Sequence, residues 1–233
     1  MEGGRVSDEA RVDATAIADR YRELADEVHG LGGERVRIVA VTKTFPAEAI
    51  AAVVAAGCVR IGENYAQELI DKWEGFTRTN EPGSAPEVHF IGGLQSNKVR
   101  SLASIVDVWQ SVDRESVVAE LSRRRPGARI LLQVNATGET GKGGCRPEQI
   151  EGLMSAAVSG GLTVEGLMTV GPTDGDPERT RNAFRSVARI AADLDLPEIS
   201  MGMSGDWRMA VVEGSTLIRV GSAIFGERPP RTL

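Results

Sequence analysis

Residues 36–44 read VRIVAVTKT, and this stretch sets the architecture of the chain. Its first six residues form an apolar run rich in β-branched side chains, which predicts a buried strand. A polar turn containing Lys43 follows, and then a helical segment, residues 47–56, that Gly57 ends. A buried strand, a polar turn and a helix make up the unit that α/β proteins repeat.

The same unit recurs to the end of the chain. Seven more apolar runs predict strands, which gives eight in all, at residues 36–41, 59–61, 88–91, 105–109, 129–134, 162–167, 198–200 and 216–220. Helices are predicted between them, and residues 76–86 are predicted to be a loop. Eight such units predict a closed (β/α)8 TIM barrel, with a barrel core at about residues 36–228 in a single domain, 1–233.

Two further features bear on this fold. The alternative is an open doubly wound sheet, but the first strand lacks the glycine fingerprint of dinucleotide-binding folds. Apolar residues at helical spacing also predict an extra N-terminal helix over about residues 8–29, which Ser7 or Asp8 would cap.

Composition excludes several classes of function. A net charge of −6 argues against a nucleic-acid-binding protein, which needs a basic face. The two cysteines form no CxxC pair, so we expect a reducing, cytoplasmic location. The chain has no apolar stretch of membrane-spanning length and no cluster of metal ligands, so neither a membrane nor a metal partner is expected. The absence of a large apolar stripe predicts a monomer.

The active site of such a barrel forms where the strands end, and Lys43 lies just past the first strand. A lysine at the mouth of an apolar strand is partly desolvated, which favours its neutral amine. A neutral amine attacks an aldehyde and forms a Schiff base. The alternative is a lysine whose side chain extends from the rim into water.

The last two strands are followed by glycines and serines. Ser204 lies after strand seven, and Gly221 and Ser222 lie after strand eight, where these barrels bind phosphate. Alternatively, the serines cap the helices that begin there. A lysine opposite a phosphate site is what pyridoxal 5′-phosphate requires. Arg219, within strand eight, would then donate a hydrogen bond to the pyridine nitrogen, or else belong to an ion-pair network in the barrel.

Several stretches resemble the pyridoxal phosphate homeostasis proteins. In chain order they are VAVTKT (39–44), GENYAQE (62–68), HFIGGLQSNK (89–98), SVD (111–113), QVN (133–135), GLMT (166–169), SMGMSGD (200–206) and IRVGSAIFGER (218–228). The resemblance covers nearly the whole chain. It departs from the family at Gly93, where relatives often have a bulkier polar residue, and this puts the role of that loop in doubt.

The resemblance implies a barrel similar to the N-terminal domain of alanine racemase, with pyridoxal 5′-phosphate bound to Lys43 as a Schiff base. It also implies that Asn64 lies near the ring, Arg219 at the pyridine nitrogen, and Ser204, Gly221 and Ser222 at the phosphate. The resemblance further implies a role in keeping intracellular vitamin B6 in balance without catalytic turnover, with delivery of the cofactor to apo-enzymes as a further expectation.

Two enzymatic alternatives use the same groups. An amino-acid racemase needs acid–base groups on both faces of its substrate. In racemases of this fold a tyrosine from a second domain supplies one of them, and we expect no such domain in this chain. A phosphosugar aldolase or isomerase is disfavoured because Glu63 is the one carboxylate obviously placed at the rim.

Overall fold

A computed structural model describes residues 12–80 and 85–227. Eight parallel strands close into a barrel in chain order, which confirms the predicted (β/α)8 TIM barrel and excludes the open sheet. The strands are β1 (Arg37–Val41), β2 (Arg60–Glu63), β3 (Glu87–Phe90), β4 (Val108–Val112), β5 (Arg129–Val134), β6 (Thr163–Thr169), β7 (Glu198–Ser200) and β8 (Leu217–Val220). Residue 228, the predicted end of the barrel core, lies outside the described residues.

Helices cover the outside of the barrel. They are α1 (Ala14–Gly30), α2 (Ala47–Ala55), α3 (Ala66–Thr79), α4 (Ser96–Leu102), α5 (Glu115–Arg124), α6 (Ile150–Ser159), α7 (Pro177–Asp193), α8 (Trp207–Val212) and α9 (Ser222–Phe225). A 3-10 turn, Pro147–Gln149, leads into α6. In the described ranges, no helix has both the length and the apolarity needed to cross a bilayer.

The start of α1 corrects the prediction of a helix from about residue 8. Asp13 is the N-cap, because its carboxylate accepts a hydrogen bond of 3.0 Å from the main-chain N–H of Ala16. The proposed caps Ser7 and Asp8 lie outside the described residues. Apolar spacing predicted the helix correctly, but the cap that starts it is further along the chain.

The position of β4 is a second correction. The carbonyl oxygen of Leu102, at the end of α4, accepts hydrogen bonds from the N–H groups of both Ile105 and Val106. These apolar residues therefore form the helix's closing turn, and the strand begins only at Val108. Gln110 and Ser111, predicted to follow the strand, lie within it. In the same way α3 extends to Thr79, into the segment predicted to be a loop.

Buried apolar side chains form a cluster inside the barrel, namely Val39, Val108, Leu131, Met168 and Leu217. Buried polar side chains lie at the same height, because His89 pairs in register with Val108 and Arg219 with Val39. A larger cluster lies between the strands and the helices. Below the interior cluster, at the N-terminal ends of the strands, Glu87 accepts hydrogen bonds from Arg129 (2.7 Å) and Arg60 (3.1 Å). The lower end of the barrel is thus closed by charged groups, and the other end remains for a site.

The packing of β6 against β7 yields a test of the fold. At Gly166, a Cβ atom would lie 1.9 Å from the carbonyl oxygen of Glu198, its partner in β7. Gly166→Ala should therefore lower the free energy of unfolding by about 3 kcal/mol, because two strands must separate to admit a methyl group. Urea titrations followed by circular dichroism measure this change.

A second alanine variant serves as the control. A Cβ at Gly152, within α6, would meet no atom within 4 Å. Gly152→Ala should raise the free energy of unfolding by about 0.5–1 kcal/mol, because alanine favours the helix. Equal effects of the two substitutions would contradict the close approach of β6 and β7.

Candidate functional site

Lys43 and Asn64 lie side by side at the C-terminal end of the barrel. Val41 of β1 pairs in register with Gly62 of β2, and the residues two positions further on are Lys43 and Asn64. Side chains alternate along strands, so both follow the inward-facing positions of Val41 and Gly62. A Cβ on Gly62 would touch the side chains of Val39 and Val41, which identifies this face as the interior. The structure therefore brings these two predicted residues together.

The turn after Lys43 has an unusual backbone. Thr44 has φ = 69°, in the left-handed region that a β-branched residue rarely adopts. Its N–H donates to the carboxylate of Glu68 on α3, which holds the conformation. Such strain persists where surrounding contacts enforce it, and it is common at functional sites.

A buried ion pair supports this turn from outside the barrel. The ammonium group of Lys72 on α3 donates to the Glu63 carboxylate at 2.8 Å and to the carbonyl oxygen of Thr42 at 2.6 Å. It also pairs with Glu68 at 2.5 Å. The two residues on either side of Lys43 are thus both tied to α3. The side chains of Glu63 and Lys72 are 0% and 8% exposed, and burial raises the pKa of Glu63 although Lys72 and Thr42 oppose this shift.

Glu63 was expected to be a rim carboxylate. The structure instead places it within β2, where it faces α3, so it does not point into the mouth of the barrel. Because Thr42 and Glu63 alternate with Lys43 and Asn64, they face the opposite side of the sheet. Glu63 therefore does not support the alternative of a phosphosugar aldolase or isomerase.

Arg219 is buried inside the barrel, with 3% of its surface exposed. Its guanidinium group donates to the hydroxyl of Ser200 at 2.6 Å and to the carbonyl oxygen of Thr169 at 2.7 Å. Burial lowers the pKa of Arg219 to about 10, and the charge of Asp206 partly offsets this. Among residues 12–80 and 85–227, no carboxylate forms an ion pair with it, so the ion-pair alternative is wrong.

Ser204 and Gly221 meet across the two last loops. The hydroxyl oxygen of Ser204 accepts a hydrogen bond of 3.4 Å from the N–H of Gly221. A Cβ on Gly221 would lie 3.2 Å from the carbonyl oxygen of Val41, so this loop also borders the strand that leads to Lys43. Ser222 follows directly and is exposed.

The alternative role of these serines as helix caps is wrong. Asp206 is the N-cap residue of α8 and Gly221 is that of α9, and neither cap uses a side-chain hydrogen bond. The side chain of Asp206 instead accepts a hydrogen bond of 2.6 Å from the N–H of Met203. The two hydroxyl groups therefore do not serve to start the helices.

Sequence reasoning missed the importance of Gly92. A Cβ at this position would lie 1.9 Å from the carbonyl oxygen of Asn64, so only glycine lets the loop after β3 approach Asn64. The sequence shows two adjacent glycines, Gly92 and Gly93, but it does not indicate which of them must be glycine. At Gly93 a Cβ would meet no atom within 4 Å, so the bulkier residues of relatives would fit there.

The glycine-rich stretch 138–144 is a rim loop between β5 and the 3-10 turn that leads into α6. Glu139 in this loop accepts hydrogen bonds from the N–H of Thr173 and from Lys142, at 2.7 Å for the lysine. Lys142 also donates to the carbonyl oxygen of Gly171. These contacts fasten the loop to the segment that follows β6, so it forms a wall of the mouth.

The residues present at the mouth fit pyridoxal 5′-phosphate. Lys43 supplies an amine, Arg219 can only donate hydrogen bonds, and Ser204 with Gly221 supplies a hydroxyl and an amide for a phosphate. The side-chain oxygen of Asn64 is buried and accepts no hydrogen bond from any described residue, which suits a group that a ligand would contact. Within the described ranges, no three His, Cys, Asp or Glu side chains gather to hold a metal ion.

The ion pair behind Lys43 gives a test of this arrangement. Lys72→Met should lower the free energy of unfolding by about 3–5 kcal/mol, because it leaves the carboxylate of Glu63 buried without its cation. The double variant Lys72→Met, Glu63→Gln should recover part of this loss because it removes the unpaired charge. Urea unfolding measures both variants. A loss below about 0.5 kcal/mol for Lys72→Met would show that the pair behaves like an exposed one.

Comparisons with known proteins identify the family of this chain. The family model described as the N-terminal domain of alanine racemase matches residues 12–229. A pyridoxal phosphate homeostasis protein of Vibrio cholerae is 39% identical over 216 residues, which cover 88% of this chain and 91% of that protein. A second one, from Escherichia coli K12, is 35% identical over 228 residues, covering 91% and 97%.

Solved structures give the same result. PipY of Synechococcus elongatus, solved without PLP, superposes with a TM-score of 0.82 at 32% identity, covering 90% of this chain and all of PipY. PipY solved with PLP bound gives a TM-score of 0.77 at 31% identity, with the same coverage. Alanine racemase from Corynebacterium glutamicum (TM-score 0.73, 18% identity) shares the fold, and the match covers 96% of this chain and 64% of the racemase. The chain therefore belongs to the alanine racemase N-terminal domain family and, within it, to the pyridoxal phosphate homeostasis proteins.

Proposed function

We propose that this chain binds pyridoxal 5′-phosphate covalently through Lys43 and serves in vitamin B6 homeostasis by holding and releasing it. The observation that carries the proposal is the meeting of Lys43, Arg219 and the Ser204–Gly221 pair at one end of the barrel. The PLP-bound structure of PipY, a relative at 31% identity, supports the choice of ligand.

Each residue has a distinct role in this proposal. Pyridoxal 5′-phosphate carries an aldehyde that condenses with the Lys43 amine, with loss of water, to a product that absorbs visible light. Ser204, Gly221 and Ser222 would bind the phosphate through hydroxyl and amide groups, and Asn64 would lie beside the ring. The loop after β3 supports Asn64, because Gly92 allows its backbone to approach.

Arg219 favours storage of the cofactor over turnover. A guanidinium group has only donors, so at the pyridine nitrogen it would leave that nitrogen as an acceptor without a proton. Enzymes that draw electrons strongly into the ring use an acidic partner there. Arg219 has neutral hydrogen-bond partners, so its charge is retained and it keeps this donor role.

The remaining acidic groups near Lys43 also support a role without turnover. Racemisation needs a second acid–base group facing the substrate. The carboxylates of Glu63 and Glu68 both pair with Lys72 on the outer side of β1 and β2. Tyr21 lies on α1, and burial raises its pKa to about 12, so it is poorly suited to proton transfer at neutral pH. We therefore propose that the chain is not an efficient racemase.

Absorption spectroscopy tests the proposed covalent link. With pyridoxal 5′-phosphate, the protein should develop a visible band, and Lys43→Ala should lose it because the amine is gone. The sequence has four lysines, at positions 43, 72, 98 and 142, and Lys98 is exposed on α4. Lys98→Ala is the matched control and should keep the band. Borohydride reduction followed by peptide mapping should place the adduct on Lys43, and an adduct elsewhere would overturn the assignment.

Chiral chromatography tests the absence of turnover. The purified, cofactor-loaded protein is incubated with L-alanine and other L-amino acids, and the D-enantiomers are measured over time. We expect no conversion above that of the Lys43→Ala variant with free pyridoxal 5′-phosphate, because the carboxylates of Glu63 and Glu68 are paired with Lys72 outside the barrel. Sustained conversion that requires Lys43 would establish the racemase instead.

Delivery of the cofactor to apo-enzymes also belongs to this proposal. It rests on the accessibility of the mouth, where Ser222 is exposed and Met203 is 39% exposed. Mixing the loaded protein with a pyridoxal-phosphate-dependent apo-enzyme, in the presence of a scavenger of free cofactor, would detect direct transfer. The monomeric state and the cytoplasmic location stay predictions, which light scattering and cell fractionation would examine.

A further inference from the structure

A chain of hydrogen bonds leads from Arg219 into the barrel. The Arg219 guanidinium group lies 2.6 Å from the hydroxyl oxygen of Ser200, and that oxygen lies 2.6 Å from Oε1 of Gln110. Nε2 of Gln110 lies 2.6 Å from Nδ1 of His89. All four side chains are buried, with at most 3% of their surface exposed. They come from β8, β7, β4 and β3, so the chain crosses the interior of the barrel.

This series of hydrogen bonds ends on the carboxylate of Glu87. Nε2 of His89 lies 2.8 Å from Oε1 of Glu87, at the start of β3. Glu87 is held by Arg60 and Arg129, and its hydrogen bond from His89 is the main reason why its pKa lies well below its usual range. These hydrogen bonds therefore connect the mouth of the barrel to the charged groups at its lower end.

The two ends fix the direction of every hydrogen bond between them. Arg219 can only donate, so Ser200 accepts from it and uses its single proton toward Gln110. Gln110 accepts through Oε1 and therefore donates through its amide nitrogen to Nδ1 of His89. His89 is then protonated on Nε2, which donates to Glu87. In this direction every donor has an acceptor, and reversing the amide of Gln110 would leave the Ser200 proton without one.

This direction has an electrostatic consequence. Each group presents its negative end toward Arg219 and its positive end toward Glu87, so the aligned dipoles stabilise the buried guanidinium charge. The bonds to Ser200 and Thr169 use two of the five N–H groups of Arg219. The guanidinium plane is thereby fixed by neutral partners, and its charge is not cancelled by an adjacent carboxylate.

We propose that Ser200, Gln110 and His89 are positioning residues that orient Arg219 toward the pyridine nitrogen of the bound cofactor. This inference rests on the proposed function, because it assigns Arg219 to that nitrogen. It also makes a claim about the ligand-free protein, namely that His89 is neutral and protonated on Nε2. The two claims have separate measurements.

Nitrogen-15 NMR of the ligand-free protein tests the direction of these hydrogen bonds. The sequence has two histidines, and His29 is exposed on α1, so a His29→Gln background leaves His89 as the sole histidine signal. Two-bond correlations at neutral pH should show a neutral ring with the proton on Nε2. A proton on Nδ1 in the unmodified chain would overturn the proposal.

Gln110→Glu provides a change that a purely structural role would not produce. A carboxylate at this position accepts from Ser200 and can only accept from His89, so His89 should gain a proton on Nδ1 and become an imidazolium. The two ring nitrogens should then show similar, donor-type shifts. If Nδ1 stays unprotonated in this variant, the proposed series of hydrogen bonds is wrong. Circular dichroism confirms that the variant is folded.

Cofactor binding tests the role at Arg219. Ser200→Ala removes the hydroxyl that Arg219 contacts, and pyridoxal 5′-phosphate should then bind about tenfold more weakly, the loss of one buried hydrogen bond, with a shifted visible maximum. Ser122→Ala is the matched control, because the Ser122 hydroxyl is buried on α5 and forms no hydrogen bond with any described residue. It should leave affinity and spectrum unchanged.

The outcomes separate the two proposals. Unchanged affinity and spectrum in Ser200→Ala would overturn the positioning role and leave the proposed function intact. No binding of pyridoxal 5′-phosphate by the unmodified chain would overturn the proposed function and the positioning role together. In that case the NMR result would still show whether the hydrogen bonds run from Arg219 to Glu87.

Discussion

The hydrogen bonds between β8 and β1 complete the barrel, and the site depends on them. Residues 37–40 pair in register with residues 217–220, so the first and last strands become neighbours. Since parallel strands all end on the same edge, this closure places the segment after Val41 beside Gly221. Without this closure, a sheet with the same strand order would leave Lys43 and the Ser204–Gly221 pair at opposite edges.

Two buried cations lie on opposite sides of this sheet, and their partners differ. Outside, Lys72 is paired with Glu63, so its charge is neutralised and it supports the turn that carries Lys43. Inside, the hydrogen bonds of Arg219 to described residues go to a hydroxyl and a carbonyl group. Burial penalises both charges. A hydrogen-bonded carboxylate offsets the penalty for Lys72, whereas hydrogen-bonded dipoles and the more distant charge of Asp206 do so for Arg219. Lys72 therefore has a structural role, whereas the charge of Arg219 remains available to a ligand.

The shared fold alone does not determine function. Alanine racemase from Corynebacterium glutamicum has the same barrel at 18% identity, so function has to be argued from the residues of the site. In this chain the carboxylates of Glu63 and Glu68 pair with Lys72 of α3, and the N–H of the strained residue Thr44 donates to Glu68. Both carboxylates therefore support the turn that carries Lys43 instead of facing the mouth of the barrel.

The sequence by itself determined the eight strands, their parallel order and the rim positions of Lys43, Asn64, Ser204 and Gly221. It did so because apolar runs end where strands end, and in a barrel these ends share one face. Local pattern failed at Ile105 and Val106, whose apolar side chains suit a strand while their N–H groups close a helix.

Only the tertiary structure decided which polar groups meet. Gln110 and Ser200 are 90 residues apart in sequence, and their contact follows from the closure and stagger of the strands. The same holds for Glu63. The sequence places it at the rim, but the alternation of side chains along β2 directs it toward Lys72. Periodicity indicates that a residue is buried, but the hydrogen-bond partner of a buried polar group is set by strands that are distant along the chain.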